Sequence, residues 1–293
     1  MRCVLPPPVP WGSGGDLPHA GDYPAPMRGL PQRLINTPDI EIWPAGLLKA
    51  RGNHDARAVA RARHVLRRKR DGRYLAADLP EGLLPLVWQL RLEPGLDAAL
   101  AAMDSEVMHR RPGLEHVRRL PLERLHERLE QLGLDEASYA DRTGLPLVAE
   151  PDWLAFAGFD RYRRPLWLHN DAARAWSHMC EAAIRDGVVL EAISGYRSHD
   201  YQLGIFERKL LRGLSVDEIL NVNAAPGFSE HHSGLALDIG TPGEPPAEES
   251  FEHTEAFAWL RDNAAGHGFR MSYPRDNPYG IIYEPWHWRY SGI

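Results

Sequence analysis

Two histidines, an aspartate and a glutamate stand in the C-terminal third of the chain at spacings that suit a metal centre. The stretch from Ser229 to Asp238 reads Ser-Glu-His-His-Ser-Gly-Leu-Ala-Leu-Asp, so His231 precedes Asp238 by seven residues with small side chains between them. Near the end of the chain, Glu284-Pro285-Trp286-His287 offers another histidine and another carboxylate. Two neutral histidines and one carboxylate, with a fourth position open, is the donor set of a catalytic rather than a structural zinc site. Such a set leaves net positive charge, which favours hydroxide and a developing oxyanion. Glu284 beside the open position suits a base that takes a proton from water attacking a carbonyl. Arg197, at the end of an expected strand, adds a fixed positive charge for that oxyanion or for the terminal carboxylate of a substrate. The chemistry implied is metal-assisted hydrolysis of a peptide bond.

These residues need elements that bring them together. Residues 235–239 alternate as a strand, with Leu235, Leu237 and Ile239 on one face and Ala236 and Asp238 on the other. The aliphatic face enters a core, while Asp238 faces a cleft beside small Ala236. Gly234 lets the backbone turn so that a histidine on the preceding loop swings back toward Asp238. His231 and His232 both have the right chemistry, and the spacing leaves the choice between them open. Glu284 and His287 are three apart and would point to opposite faces of a regular strand. A bend at Pro285 is therefore required for both to reach one ion. Each residue alone has an ordinary reading: a hydrogen-bonded histidine, a strand-ending aspartate, an arginine in a structural ion pair. The specificity lies in their joint occurrence.

Upstream of the site, a helix is expected from Asn170 or Asp171, with Trp176, Met179, Cys180 and Ala183 on one face and Gly187 as its stop. A strand over residues 188–193 leads into Ser194-Gly195-Tyr196-Arg197, and Ser198 caps a further helix. Strand-like runs at 269–273 and 281–290 close the chain. Strands and helices mix without regular alternation, which indicates an α+β domain. Residues 1–30 are dense in Pro and Gly and read as a flexible tail. Residues 54–70, rich in Ala and Arg, read as a basic helix, with more helices over 96–110 and 122–132. The basic run offers a surface for an anionic polymer or, more simply, a solvated helix face.

Composition narrows the class. The chain has 293 residues, 43% hydrophobic and 25% charged, with a net charge of −6, which gives no reason to expect nucleic acid as the main partner. Cys3 and Cys180 are far apart, so neither a disulfide framework nor a cysteine metal site is expected. No apolar run approaches the roughly 20 residues of a membrane span, and the N-terminus lacks the apolar segment of a signal peptide. A cytoplasmic location is the default expectation.

The site residues resemble the VanY-type zinc D-alanyl-D-alanine carboxypeptidases, within a broader group that includes lysostaphin-like peptidases and the hedgehog signalling domain. The family pattern Ser-x-His-x-x-Gly-x-Ala-x-Asp is met by Ser229, His231, Gly234, Ala236 and Asp238, and Glu-x-Trp-His by Glu284, Trp286 and His287. Ser194 to Ser198, with Tyr201-Gln202, match a further upstream motif. The resemblance implies one zinc ion held by His231, Asp238 and His287, Glu284 as general base, and Arg197 stabilising the tetrahedral intermediate. It implies a substrate pocket of Ser229, Tyr201, Gln202, Tyr196 and Trp286. The implied substrate is the D-amino-acid end of a peptidoglycan stem peptide, and the implied location is the cell envelope. An L,D-carboxypeptidase, an L-alanyl-D-glutamate endopeptidase and a non-catalytic metal-containing binding module are the alternatives. The expected architecture is a small mixed or antiparallel sheet flanked by helices around a zinc cleft over residues 150–293. It follows a largely helical N-terminal extension over residues 31–149. The oligomeric state is not legible.

Overall fold

From residue 33 to residue 85 the chain folds back on itself in successive antiparallel strands. The computed structural model describes residues 32–50, 52–104, 117–122 and 124–292, and the expected tail over residues 1–30 lies outside them. Strands β1 (Arg33–Asn36) and β2 (Ile40–Pro44) precede a short helix α1 (Asn53–Val59), followed by β3 (His64–Arg68), β4 (Tyr74–Leu79) and β5 (Gly82–Pro85). Helices α2 (Leu96–Asp104), α3 (Leu125–Gln131) and α4 (Glu136–Thr143) come next. Strands β6 (Trp153–Phe159) and β7 (Pro165–Leu168) then return to the first sheet. Its order is β5-β4-β3-β2-β1-β6-β7, with Leu34 of β1 opposite Leu154 of β6.

The basic run corrects two expectations. Its helix ends at Val59, and the chain re-enters the sheet as β3. Val65 packs with Ala45, Val59 and Tyr74, while Leu66 packs with Ile40, Ile42 and Leu75 in a separate cluster. Burying these two side chains is worth about 1.5–3 kcal/mol each. That exceeds helix propensities of at most about 0.7 kcal/mol per ordinary residue. Three cations at the end of this run are also paired. Arg67 meets Glu41 at 2.6 Å, Arg68 meets Asp71 and Glu93 at 2.6 and 2.8 Å, and Lys69 meets Glu150 at 2.6 Å. A continuous basic helix does not result. The stretch over 31–149 is therefore not largely helical: its first half is sheet. Nor does position 149/150 separate two sheets, because β1 pairs with β6 across it.

The remaining elements are α5 (Asn170–Arg185), β8 (Glu191–Ser194), α6 (His199–Leu210), α7 (Val216–Leu220), β9 (Ala236–Gly240), α8 (Glu255–Asn263), β10 (Phe269–Met271) and β11 (His287–Tyr290). They form a second antiparallel sheet, β10-β11-β9-β8, with helices around it, so the expected α+β class holds. Helix α5 buries Trp176, Met179 and Ala183 on one stripe and is followed by Gly187 at φ +80°. It shares a core with Trp153 and Leu168 of the first sheet and with Leu237, Ile239 and Trp288 of the second. Helices α3, α4, α6 and α7 enclose a second core around Leu129, Phe206 and Phe228. Among the described residues no helix is long and apolar enough to cross a membrane.

Candidate active site

The second sheet places the two ends of the motif side by side. β9 and β11 are antiparallel neighbours in which Asp238 lies directly opposite His287 and Leu237 opposite Trp288. Opposed residues share a face, so Asp238 and His287 project together into the cleft while Leu237 and Trp288 enter the core. The strand parity expected for Asp238 is what the structure has. The bend required at Pro285 is a turn: the His287 N–H donates to Glu284 O at 3.1 Å, and β11 begins only at His287. Glu284 therefore folds back over the strand end, with its Oε2 3.8 Å from His287 Nδ1.

His231 arrives from a short 3-10 turn, residues Glu230–Ser233, that ends at Gly234 with φ +69°. A Cβ on Gly234 would lie 2.5 Å from Leu154 Cδ2 and 2.8 Å from His169 N. Only glycine permits this turn to pack against the end of β7. His231 Nε2 and His287 Nδ1 each lie 3.2 Å from Asp238 Oδ1. The atoms of His231, Asp238 and His287 that could ligate an ion all fall within 4.8 Å of one another, and all three side chains are buried.

The outward ring nitrogens are held as well. His231 Nδ1 lies 2.7 Å from Gly195 O, and His287 Nε2 lies 2.9 Å from Glu230 Oε2. Such partners fix ring orientation and tautomer in metal sites. Glu230 in turn accepts from Ser272 Oγ at 2.6 Å. His232 has no nitrogen to spare: Nδ1 pairs with Arg197 O at 2.7 Å, and Nε2 accepts from the Gly227 N–H at 3.1 Å. The electrostatics agree with a cation-shaped gap. Burial alone would raise the Asp238 carboxyl, but His231, His287 and Arg197 outweigh it and hold it well below the usual carboxylate range. Burial, reinforced by Arg197, pushes His231 down to about 4. Burial opposes charge on His287 too, but Asp238 and Glu230 prevail and raise it to about 10. A cation held by these atoms would take the place of that proton, since imidazole ligates only when deprotonated. Burial pushes Glu284 up to about 7. The donor set fits one zinc-type ion.

The cleft above this cluster is lined by Arg197, Gln202, Ser229 and Glu284 among others. Arg197 Nη2 donates to Asp238 Oδ2 at 3.1 Å, while its Nε has no partner among the described residues. Gln202 donates from Nε2 to Ala224 O, and its Oε1 is buried with no partner among the described residues. Three expected pocket residues lie elsewhere. Tyr196 turns its hydroxyl to Glu150 and Asn36. Trp286 packs in the hydrophobic core, and its carbonyl accepts from the Ile239 N–H. Tyr201 is exposed on α6 under the Arg208 guanidinium. Tyr196 and Trp286 thus serve the frame rather than the cleft. Two residues of the site were not singled out in the sequence. Glu230 sits inside the motif between Ser229 and His231, and a carboxylate next to a ligand histidine is its signal. Tyr273, whose ring centroid lies 4.8 Å from that of His287, has no local signal.

An α+β frame carrying two histidines and an aspartate beside a buried glutamate has the composition of a mononuclear metallopeptidase site. Comparison with known proteins agrees. The family model described as VanY, D-alanyl-D-alanine carboxypeptidase, matches residues 165–293. The putative carboxypeptidase YodJ of Bacillus subtilis (strain 168) is 38% identical over 144 residues, 46% of this chain and 50% of that protein. The bifunctional D-Ala-D-Ala dipeptidase and D-Ala-D-Ala carboxypeptidase VanXYC of Enterococcus gallinarum is 30% identical over 150 residues, 49% of this chain and 76% of that protein. A solved structure of VanYB in complex with D-alanine-D-alanine is 32% identical and covers 44% of this chain and 74% of that one, with a TM-score of 0.38. The chain belongs to the VanY D-alanyl-D-alanine carboxypeptidase family, as its motifs led us to expect. It spans half the length of the Bacillus relative.

Proposed function

We propose that the protein is a zinc-dependent carboxypeptidase that removes a terminal D-amino acid, D-alanine, from peptidoglycan stem peptides or muropeptides. The observation that carries this reading is the convergence of His231, Asp238 and His287 within 4.8 Å beneath a buried Glu284. His231, Asp238 and His287 would hold one ion. Bound there, zinc supplies Lewis acidity, which acidifies water and polarises a carbonyl. Glu284 accepts the proton of the attacking water and returns it to the leaving amine. The Arg197 guanidinium donates to the developing oxyanion or to the substrate's terminal carboxylate. Ser229 offers a hydroxyl to the peptide in the same cleft, and the free Oε1 of Gln202 accepts an N–H. A binding module that keeps the metal without turnover needs neither Glu284 nor Arg197, and both are present.

The test is incubation of the zinc-loaded protein with muropeptides carrying tri-, tetra- and pentapeptide stems, with products identified by mass spectrometry. Loss of one D-alanine from the pentapeptide is expected. Trimming of the tetrapeptide instead would make the enzyme an L,D-carboxypeptidase, and internal cleavage would make it an endopeptidase. Release that continues unchanged in Glu284→Ala would sink the assigned mechanism.

A further inference from the structure

We infer that Lys69 and Glu150 are positioning residues for the active site, joining the seven-stranded sheet to the metal-ligating histidine and to Arg197 through a buried ion pair. The inference rests on the carboxypeptidase reading, and both residues precede the segment that the family model matches.

The sheet presents two donors to one carboxylate. Lys69, just after β3, places Nζ 2.6 Å from Glu150 Oε2, and both side chains are buried. Asn36, the last residue of β1, donates from Nδ2 to the same oxygen at 3.2 Å. On its far side Glu150 holds the turn that leads into α6. The Tyr196 hydroxyl donates to Oε2, and the His199 backbone N–H donates to Oε1 at 2.9 Å. These attachment points bracket Arg197.

The same short segment governs the site. Gly195 O orients His231 at 2.7 Å, the Arg197 N–H donates to His231 O at 3.2 Å, and the Arg197 guanidinium reaches Asp238 at 3.1 Å. Whatever fixes residues 195–199 therefore fixes both the ring of a ligand and the approach of the arginine. Gly195 has little room to shift, since a Cβ there would lie 2.7 Å from Leu166 Cδ1. As a source of stability the ion pair is a poor choice, because the cost of desolvating two charges offsets their attraction and an apolar pair would serve as well. An apolar pair would not anchor a hydroxyl and a backbone N–H at set points. Charge-assisted hydrogen bonds do so, with defined geometry.

The test compares wild type with Tyr196→Phe, Glu150→Gln and the conservative Lys69→Arg, each alone and combined with Arg197→Ala. Turnover of a peptide ending in D-alanyl-D-alanine and the visible absorption of the cobalt(II)-substituted protein are measured together. Tyr196→Phe and Glu150→Gln are expected to lower kcat about 10- to 100-fold, the scale of groups that orient a site's ligands. KM should stay within about twofold, since the interaction lost acts in the transition state. Lys69→Arg should retain most of the turnover, and the losses should shrink in the Arg197→Ala background to the part that acts through His231. The cobalt bands should shift in Tyr196→Phe and Glu150→Gln, because His231 loses its fixed partner. A rise in KM at constant kcat, losses that add to that of Arg197→Ala, or cobalt bands identical to wild type would each overturn the inference. If Glu150→Gln does not fold, Tyr196→Phe leaves the ion pair in place and carries the same expectations. If wild type hydrolyses none of the peptides, the functional reading fails, and the cobalt spectra still decide the positioning role.

Discussion

Asp238 and Glu284 are both buried carboxyls, yet their surroundings push them in opposite directions. His231, His287 and Arg197 hold Asp238 well below the usual range, whereas burial raises Glu284 to about 7. Environments that separate two such groups divide a permanent anion, suited to ligation, from a group able to exchange a proton. Replacing Glu284 by Gln should lower kcat by about 10²–10⁴-fold, the usual scale for a general base, with one zinc per chain retained by metal analysis. Zinc loss along with activity would place Glu284 among the ligands instead. Glu230 acts one bond further out, on His287 Nε2. Glu230→Gln should weaken zinc binding by about 10- to 100-fold, measured by competition with a chromogenic chelator. Residue types announced most of this chemistry. Choosing between His231 and His232 by physics needed the fold, because only there are both His232 nitrogens spent on Gly227 and Arg197 O.

At the scale of elements, the site is a product of register. β9 and β11 bring residues 238 and 287 to one face only because Asp238 opposes His287, and a slip of one residue between the strands would turn one of the two into the core. The alternation of residues 235–239 was readable beforehand. The partner strand was not, because residues 281–290 read as one continuous run whereas β11 begins only at His287. The turn that supplies His231 depends on Gly234, whose φ of +69° and close contacts with Leu154 and His169 exclude a side chain. Gly234→Ala should cost about 1–2 kcal/mol from the backbone conformation alone, with the steric contact adding to it. The measured sign is a lower denaturation midpoint together with weaker zinc binding, since the turn carries a ligand. An unchanged midpoint would show that the turn relaxes freely.

At the scale of the molecule, the family segment and the described residues from 32 onward that precede it form one physical unit. Trp153 and Ala155 of β6 belong to the same core as α5 and the second sheet, and β6 is zipped to β1. A chain starting at residue 165 would leave that core open on one side, and it should show no cooperative thermal transition by circular dichroism. A sharp transition would mean that the matched segment folds alone. Glu150 adds a pH signature to this coupling. Burial pushes its carboxyl up, but the charges of Lys69 and His199 and its hydrogen bonds hold it below its ordinary 4.5. A depressed folded-state value means that the stabilisation is complete above the unfolded value and is lost as pH falls through the folded one. The melting temperature should therefore drop from about pH 5 to about pH 3, and it should drop less in Glu150→Gln. Equal slopes would assign the acid sensitivity to other carboxylates.

Local sequence determined what depends on chemistry and short-range periodicity. That covers the donor types at residues 231, 238 and 287, the glycine before β9, the cap at Ser198, and the buried stripe of α5. These are decided by a residue and its neighbours within a turn or two, so a single chain displays them. Tertiary structure decided what depends on pairing between distant segments. It converted the second half of the basic run into a strand, because two cores claimed Val65 and Leu66, and it paired Arg67, Arg68 and Lys69 with Glu41, Glu93 and Glu150. It drew Tyr196 and Trp286 into the frame, and it set a lysine from the first sheet behind the active-site arginine. Such outcomes turn on burial energies summed over residues far apart in the chain, which outweigh local propensity and leave no trace in spacing.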